Sequence, residues 1–124
     1  MRWQSLRPSR PFPADLGARL TSFVEEAGVA VAEQVDRSLL DFEAVAASTP
    51  DAIAAWALDV ARGCDADAVF LPGTNVPTIG IIEAVEERLE MPVIAANQVT
   101  MWSALRAAGV APPPAVRRQR LFAA

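Results

Sequence analysis

The sequence predicts an α/β fold, a single three-layer doubly wound domain with a parallel sheet between helices. Residues 67–72 (DAVFLP) and 91–96 (MPVIAA) are apolar without polar alternation, as is typical of strands covered on both faces. Helical patterns alternate with such runs along the chain, which indicates βαβ units. A length of 124 residues with 52% hydrophobic residues corresponds to one domain with a packed core.

The N-terminal third predicts a helix followed by a strand. Residues 14–27 form a helical pattern that ends at Gly28, and residues 28–35 (GVAVAEQV) resemble a short strand. A further strand is expected near residues 3–6, although Pro8 follows it closely. The apolar face of the helix comprises Leu16, Leu20, Phe23, Val24 and Ala27.

The next helix is predicted over residues 50–62, whereas residues 36–48 show no clear pattern. Ser48 or Thr49 is the candidate N-cap, Pro50 stands at the first helical position and Gly63 ends the helix. Its inner face comprises Ile53, Trp56, Ala57 and Val60.

Two more helices follow the buried strands, over residues 78–89 and 98–109. Their inner faces comprise Ile82, Val85 and Leu89 in the first and Trp102 and Leu105 in the second. The predicted domain therefore spans residues 11–110, preceded by a basic segment over 1–10. Residues 111–124, a Pro/Arg-rich tail, contain three consecutive prolines and are expected to be extended or mobile.

Composition removes several classes of function. One cysteine and no histidine make a disulfide framework or a metal site improbable, and no phosphate-binding or G-x-S-x-G motif occurs. Cys64 would lie at the amino end of a strand beside Asp65 and Asp67, so we interpret it as structural. No apolar run reaches the roughly 20 residues of a membrane span, and no secretory signal is evident. We expect a cytoplasmic protein without a membrane partner.

The charge is unevenly distributed along the chain. Three arginines precede the domain and three follow it, while the region between them carries five arginines against 15 acidic residues. An acidic body argues against binding to nucleic acid, which requires a basic face. The basic ends could dock on this body or on a partner, and we interpret them as solvated tails.

The loop after the first buried strand is the main candidate site. Gly73 allows a ligand to approach the backbone, Thr74 and Asn75 offer hydrogen bonds, and a helix is predicted to begin at Thr78. This combination is suited to a carboxylate. Glycine, asparagine and proline are also common turn residues, so the residues alone leave a plain turn equally open.

Two other loops are expected at the same edge of the sheet. Residues 96–100 (ANQVT) follow the second buried strand, and Asn97 or Thr100 could either contact a ligand or cap the next helix. Residues 10–15 contribute Phe12. Ligands of such sheets bind where these loops gather, beyond the carboxyl ends of the strands.

Residues 9–110 resemble the C-terminal half of the maleate cis-trans isomerase and arylmalonate decarboxylase group, within the aspartate/glutamate racemase superfamily. The resemblance is carried by residues 68–75 (AVFLPGTN) and 97–109 (NQVTMWSALRAAG), and by residues 10–31 (RPFPADLGARLTSFVEEAGVAV). It implies one half of a two-halved α/β enzyme. In that family two cysteines act on a dicarboxylate or related acid without cofactor or metal.

The resemblance also implies what this chain lacks. The family cysteine in "SCTN" is matched by Gly73, and a family tyrosine is matched by Phe12, whereas Thr74 and Asn75 are kept. The thiolate carries the chemical step in such enzymes, so the chain alone is expected to be inactive and no catalytic residue is assigned. The implied substrate-binding residues are Gly73, Thr74, Asn75, Thr78, Phe12 and Asn97.

Three hypotheses follow. The first is a catalytically degraded relative that still binds a small carboxylate or dicarboxylate. The second is one half of a split isomerase, racemase or decarboxylase that acts with a complementary half-domain subunit. The third is a structural or assembly domain. Because a lone half would expose a face that the family covers, we expect a homo-oligomer or a complementary partner.

Overall fold

The computed structural model of the chain describes residues 5–10, 14–36, 47, 49–63 and 65–124. The strands are β1 (Ser5–Arg10), β2 (Ala30–Val31), β3 (Val35–Asp36), β4 (Ala68–Leu71) and β5 (Val93–Ala95). The helices are α1 (Ala14–Glu26), α2 (Pro50–Ala61), α3 (Ile82–Leu89), α4 (Ala96–Ala108) and α5 (Arg120–Ala123), with a 3₁₀ turn over Pro114–Val116.

The sheet is parallel, which confirms the predicted α/β class. The strand order is β2-β1-β4-β5, and β3 also pairs with β1. The expected N-terminal strand is therefore present as β1, shifted toward residues 5–10. In the register of β4 and β5, Leu71 lies opposite Ala95, so both strands end at the same level.

Alternate side chains of β4 and β5 supply two apolar layers. On one face, Val69, Leu71 and Val93 pack with α2 and α3 around the fully buried Ile53 and Ile82. On the other face, Ala68 and Ile94 are covered by a smaller group, which comprises Val24, Val29, Phe70 and Val99. The period of two along each strand thus explains why both runs lack polar residues.

Helix α2 matches its prediction closely. It begins at Pro50, and the Thr49 hydroxyl accepts a hydrogen bond from Ala52 N at 3.2 Å, which makes Thr49 the N-cap. Of the predicted inner face, Ile53, Ala57 and Val60 are buried, while Trp56 is half-buried against the same cluster.

The apolar face predicted for α1 is only partly covered. Val24 packs on the smaller core group, but Phe23 is 69% exposed and Leu16 is 43% exposed. Helix α1 lies against β2, an outer strand of two residues, which is too short to cover the whole face. Met101 on α4 is also exposed, so this side of the sheet presents separated apolar side chains to solvent.

Two helices begin elsewhere than the sequence predicts. Helix α3 starts at Ile82 rather than Thr78, because residues 78–81 form a turn in which Ile81 N donates to Thr78 O at 3.0 Å. Helix α4 starts at Ala96, directly after β5, rather than at residue 98. The helix after the candidate loop is therefore displaced from it by a turn.

The C-terminal segment is folded, and its predicted lack of structure was wrong. Val116 and Leu121 are buried, and Arg118 Nε lies 2.7 Å from Glu83 Oε1 on α3. Arg120 donates from its guanidinium to Glu90 O at 2.9 Å. The basic end of the chain thus docks on an acidic helix, because its two apolar side chains gain burial and its arginines meet opposite charge.

Glu86 joins this segment to the sheet. The side chain is 2% exposed, and its carboxylate accepts hydrogen bonds from Val93 N and from Arg120 N, each at 2.9 Å. Burial raises the pKa of Glu86 above its ordinary value, although the two N–H donors and the charge of Arg120 act in the opposite direction.

No helix among the described residues is long and apolar enough to cross a membrane.

The raised pKa of Glu86 predicts a pH-dependent contribution to stability. Because the folded protein holds this proton at higher pH than the unfolded chain, the contribution is full below the ordinary carboxyl pKa of 4.5 and is lost as the pH rises through the raised value. We expect the free energy of unfolding of the wild type, measured with urea, to fall over this window relative to that of Glu86→Gln. Parallel pH profiles for the two proteins would contradict the prediction.

Candidate functional site

The loop after β4 meets the first turn of α4, which follows β5 directly, at the edge predicted from the parallel sheet. Thr74, Asn75, Val76, Pro77 and Asn97 line an open cleft of about 310 Å³ at the carboxyl ends of the two strands. The loop and the start of α4 become neighbours because β4 and β5 are adjacent and end in register.

A hydrogen bond joins the first turn of α4 to the loop after β4 directly. Asn97 Nδ2 donates to Thr74 O at 2.8 Å. Neither Asn97 nor Thr100 caps α4: Thr100 donates from its hydroxyl to Ala96 O at 2.9 Å, within the helix. Asn97 therefore positions the neighbouring loop, which is a role that neither alternative for this residue anticipated.

The predicted site residues do not all face the cleft. Thr74, Asn75 and Asn97 line it and are exposed, and Gly73 precedes them at the end of the strand. Thr78 is 3% exposed and is not among the residues that line the cleft. Phe12 and Cys64 lie outside the described residues.

The backbone at Gly73 adopts a conformation that suits glycine. Its φ is 124°, in the left-handed region that L side chains rarely adopt. Gly73 O accepts a hydrogen bond from Val76 N at 3.4 Å, which closes the turn. A side chain at this position would therefore strain the loop.

The helix whose positive dipole end lies at the cleft is α4 rather than α3. Helix α4 starts at Ala96, beside the cleft, and no side chain caps its first turn in the usual way. The N–H groups of this first turn, which have no partner within the helix, and the positive dipole end of the 13-residue helix thus lie at the cleft together with Asn97. The five lining residues carry no titratable group, so they can donate hydrogen bonds to an anion but cannot transfer a proton.

Among the residues that the structure describes, no three potential metal ligands come together.

A buried pair of glutamines, which was not predicted from the sequence, lies behind the cleft. Gln98 Oε1 accepts from Ala95 N at 3.1 Å, and Gln98 Nε2 donates to Gln119 Oε1 at 3.0 Å. Gln119 Nε2 then donates to Ile79 O at 3.2 Å. A glutamine at the third position of a helix is a known capping signal, so Gln98 could have been recognised, whereas nothing local marks Gln119.

Comparison with solved structures places this fold among proteins about twice as long. A glycine-to-cysteine mutant of arylmalonate decarboxylase in its sulfate ion associated form superposes with a TM-score of 0.86 at 22% identity, covering 98% of this chain and 53% of that chain. The maleate isomerase from Pseudomonas putida gives a TM-score of 0.80 at 22% identity, covering 91% of this chain and 46% of that one.

A third structure supports the same assignment of the fold. A cysteine-to-serine mutant of maleate cis-trans isomerase from Nocardia farcinica, with a covalently bound succinylcysteine intermediate, gives a TM-score of 0.82 at 19% identity, covering 97% of this chain and 49% of that chain. These likenesses confirm that the fold corresponds to one half of an Asp/Glu racemase-type fold. The chain spans about half the length of these structures.

No curated protein matches the chain. The model of the arylmalonate decarboxylase family matches residues 9–122, nearly the whole chain and including the docked C-terminal segment. The chain therefore belongs to the arylmalonate decarboxylase family.

Proposed function

We propose that this chain binds a small carboxylate or dicarboxylate in the cleft between the loop after β4 and the start of α4. The observation that carries the proposal is the contact between Asn97 and Thr74, which brings the polar loop after β4 against the first turn of α4. Hydroxyl and amide donors near a helix N-terminus are suited to an anion. A family relative crystallised in a sulfate ion associated form is consistent with anion binding in this family.

The ligand would be held by hydrogen bonds from several exposed groups. The Thr74 hydroxyl and the side chain of Asn75 lie on the loop after β4, and Asn97 lies in the first turn of α4. A carboxylate accepts such bonds with both oxygens, which are stronger than bonds between neutral groups. Because the cleft is open, we expect modest affinity, in the millimolar range of small anions rather than that of a closed site.

We further propose that the chain alone is not an active isomerase, racemase or decarboxylase. The resemblance implies that Gly73 stands where the family has its cysteine, and the lining residues carry no proton-transfer group. The positive φ of Gly73 supports this proposal, because the loop has a backbone conformation that a cysteine would strain.

One observation favours a second candidate, in which the chain works with a partner. It spans about half of the related structures, and it exposes Phe23, Leu16 and Met101 on the side of the sheet covered by α1 and α4. Burying these side chains against a partner would stabilise an association, because apolar area would be removed from water. We propose that a second copy of this chain covers them, and that a complementary half-domain bringing a cysteine is the alternative occupant.

Carboxylate binding is tested by changing Asn97, whose side-chain amide bonds the loop after β4. Asn97→Asp removes the donor to Thr74 O and places a negative charge in the cleft, so we expect affinity for malonate or maleate to fall on the order of tenfold or more. Ser103→Asp, which adds the same charge at an exposed position two turns along α4, should bind like the wild type. Isothermal calorimetry with malonate, maleate, aspartate and phenylmalonate measures the difference. If the wild type binds none of them at millimolar concentration, the carboxylate site is refuted.

The role of Gly73 is tested by introducing a thiol at this position. Gly73→Cys should lower the free energy of unfolding by about 1–3 kcal/mol because of the positive φ, and it should not produce maleate isomerisation or decarboxylation. Gly80→Cys is the matched control, since a Cβ there meets nothing within 4 Å and no positive φ is involved. Its cost should stay within about 0.5 kcal/mol. Turnover by Gly73→Cys would show that only the thiol separates this chain from an active enzyme, and turnover by the wild type would contradict the proposal that the chain alone is inactive.

Association is tested at the exposed apolar surface. Phe23→Arg should convert an oligomer of the wild type into a monomer in size-exclusion chromatography with light scattering, because the side chain is 69% exposed and would be buried between subunits. Glu25→Arg, on the opposite side of the same helix, should leave the mass unchanged. A wild type that is monomeric at every concentration would refute self-association and leave a separate half-domain as the partner.

A further inference from the structure

The two buried glutamines form a directed chain of hydrogen bonds. Gln98 and Gln119 are each 1% exposed, and their amides connect Ala95 N at one end with Ile79 O at the other. The main-chain donor at one end and the main-chain acceptor at the other fix the orientation of both amides. A reversed amide would place two donors or two acceptors against each other, which is costly in a buried site.

The series of hydrogen bonds through the two glutamines ends on the loop that forms the cleft. Ile79 follows Thr78, so the bond from Gln119 holds the C-terminal end of that loop. Asn97 holds the other end through Thr74 O, and it immediately precedes Gln98 in α4. The loop is therefore hydrogen-bonded near both ends. One bond comes from Asn97, the neighbour of Gln98 in α4, and the other comes from Gln119, which is itself bonded to Gln98.

The position of Gln119 depends on the packing of the segment around it. Val116 and Leu121 are buried on either side, Gln119 N donates to Val116 O at 3.1 Å, and Arg120 N donates to Glu86 Oε2. The contacts are made with α3, α4 and β5, which belong to the body of the domain. We call residues 112–121 the C-terminal strap.

We propose that the C-terminal strap sets the geometry of the cleft, and that Gln119 is a positioning residue for the loop of residues 72–79. Gln119 does not line the cleft and acts through the main chain of Ile79. The consequence for ligand binding rests on the carboxylate function proposed above, whereas the effect on the loop does not. Binding at the cleft is thus coupled to a segment that lies far away in sequence.

The test uses Gln119→Glu in the full chain. The introduced carboxylate can still accept from Gln98 Nε2, but it presents an acceptor to Ile79 O, so only the bond to the loop is lost and replaced by repulsion. We expect amide hydrogen exchange at Ile81, whose N–H closes the turn onto Thr78 O, to rise on the order of tenfold. Val69, whose N–H bonds Pro92 O in the sheet, is the internal reference and should be unchanged relative to global unfolding.

Exchange at Ile81 in Gln119→Glu, measured at lower pH, distinguishes the hydrogen bond to Ile79 from a general contribution of the strap to stability. A protonated carboxyl donates a hydrogen bond, so protection at Ile81 should return toward the wild-type value. Glu86 is bonded to the strap and titrates in both proteins, and both proteins also contain Arg118 and Arg120, so the wild type at the same pH removes the contribution of these groups. Arg118→Gln, which breaks the surface contacts with Glu83 and Glu87, is the matched control in the strap and should leave Ile81 protected.

The outcomes separate the two proposals. Selective loss of protection at Ile81 in Gln119→Glu with weaker malonate binding supports both. The same loss of protection in Gln119→Glu, together with a wild type that binds no carboxylate, supports the strap while refuting the function. Unchanged exchange at Ile81, or an equal rise at Val69, overturns the strap. If Gln119→Glu does not fold, Gln119→Met removes both bonds at similar length, and the same comparison of Ile81 with Val69 decides the question.

Discussion

The parallel pairing of β4 with β5 is the constraint on which the rest of the structure depends. Both strands are buried on both faces and end in register at Leu71 and Ala95. Their alternating side chains support the large core under α2 and α3 and the smaller one under α1 and α4. Because the strands end together, the loop after β4 and the start of α4 after β5 are neighbours, and the cleft exists at that edge. The buried strands therefore determine the place of the site, and the loop and the helix start determine its chemistry.

The sequence predicted the features that depend on local composition. Apolar runs without alternation identified β4 and β5, and the Thr49-Pro50 signal identified the start of α2, because burial and capping leave marks within a few residues. The loops after the two strands were expected at one edge for the same reason. Thr74, Asn75 and Asn97 do lie together there, and the family to which the chain belongs was recognised from the residues in and around these loops.

The features that were missed depend on contacts between distant residues. Gln119 bonds Ile79 across 40 positions and Gln98 across 21, and no local pattern records such partners. Proline-rich composition suggested a mobile tail, but the burial of Val116 and Leu121 outweighs the absence of regular structure in the preceding residues. Similarly, a helix was expected directly after the loop of residues 72–77, whereas the turn closed by Ile81 delays it to Ile82.

These corrections change how an anion would be held in the cleft. The sequence suggested the helix after the loop as the positive end, but α3 has eight residues and starts beyond a turn, while the 13-residue α4 starts beside Asn97. The loop itself is then shaped by the bond from Asn97, by the amide chain through Gln119 and by the positive φ of Gly73. None of these three constraints requires a thiol, and the third disfavours one. Under the proposed function, the geometry for binding an anion is therefore physically separable from the group that performs chemistry in the family, so one can persist in a half-length chain without the other.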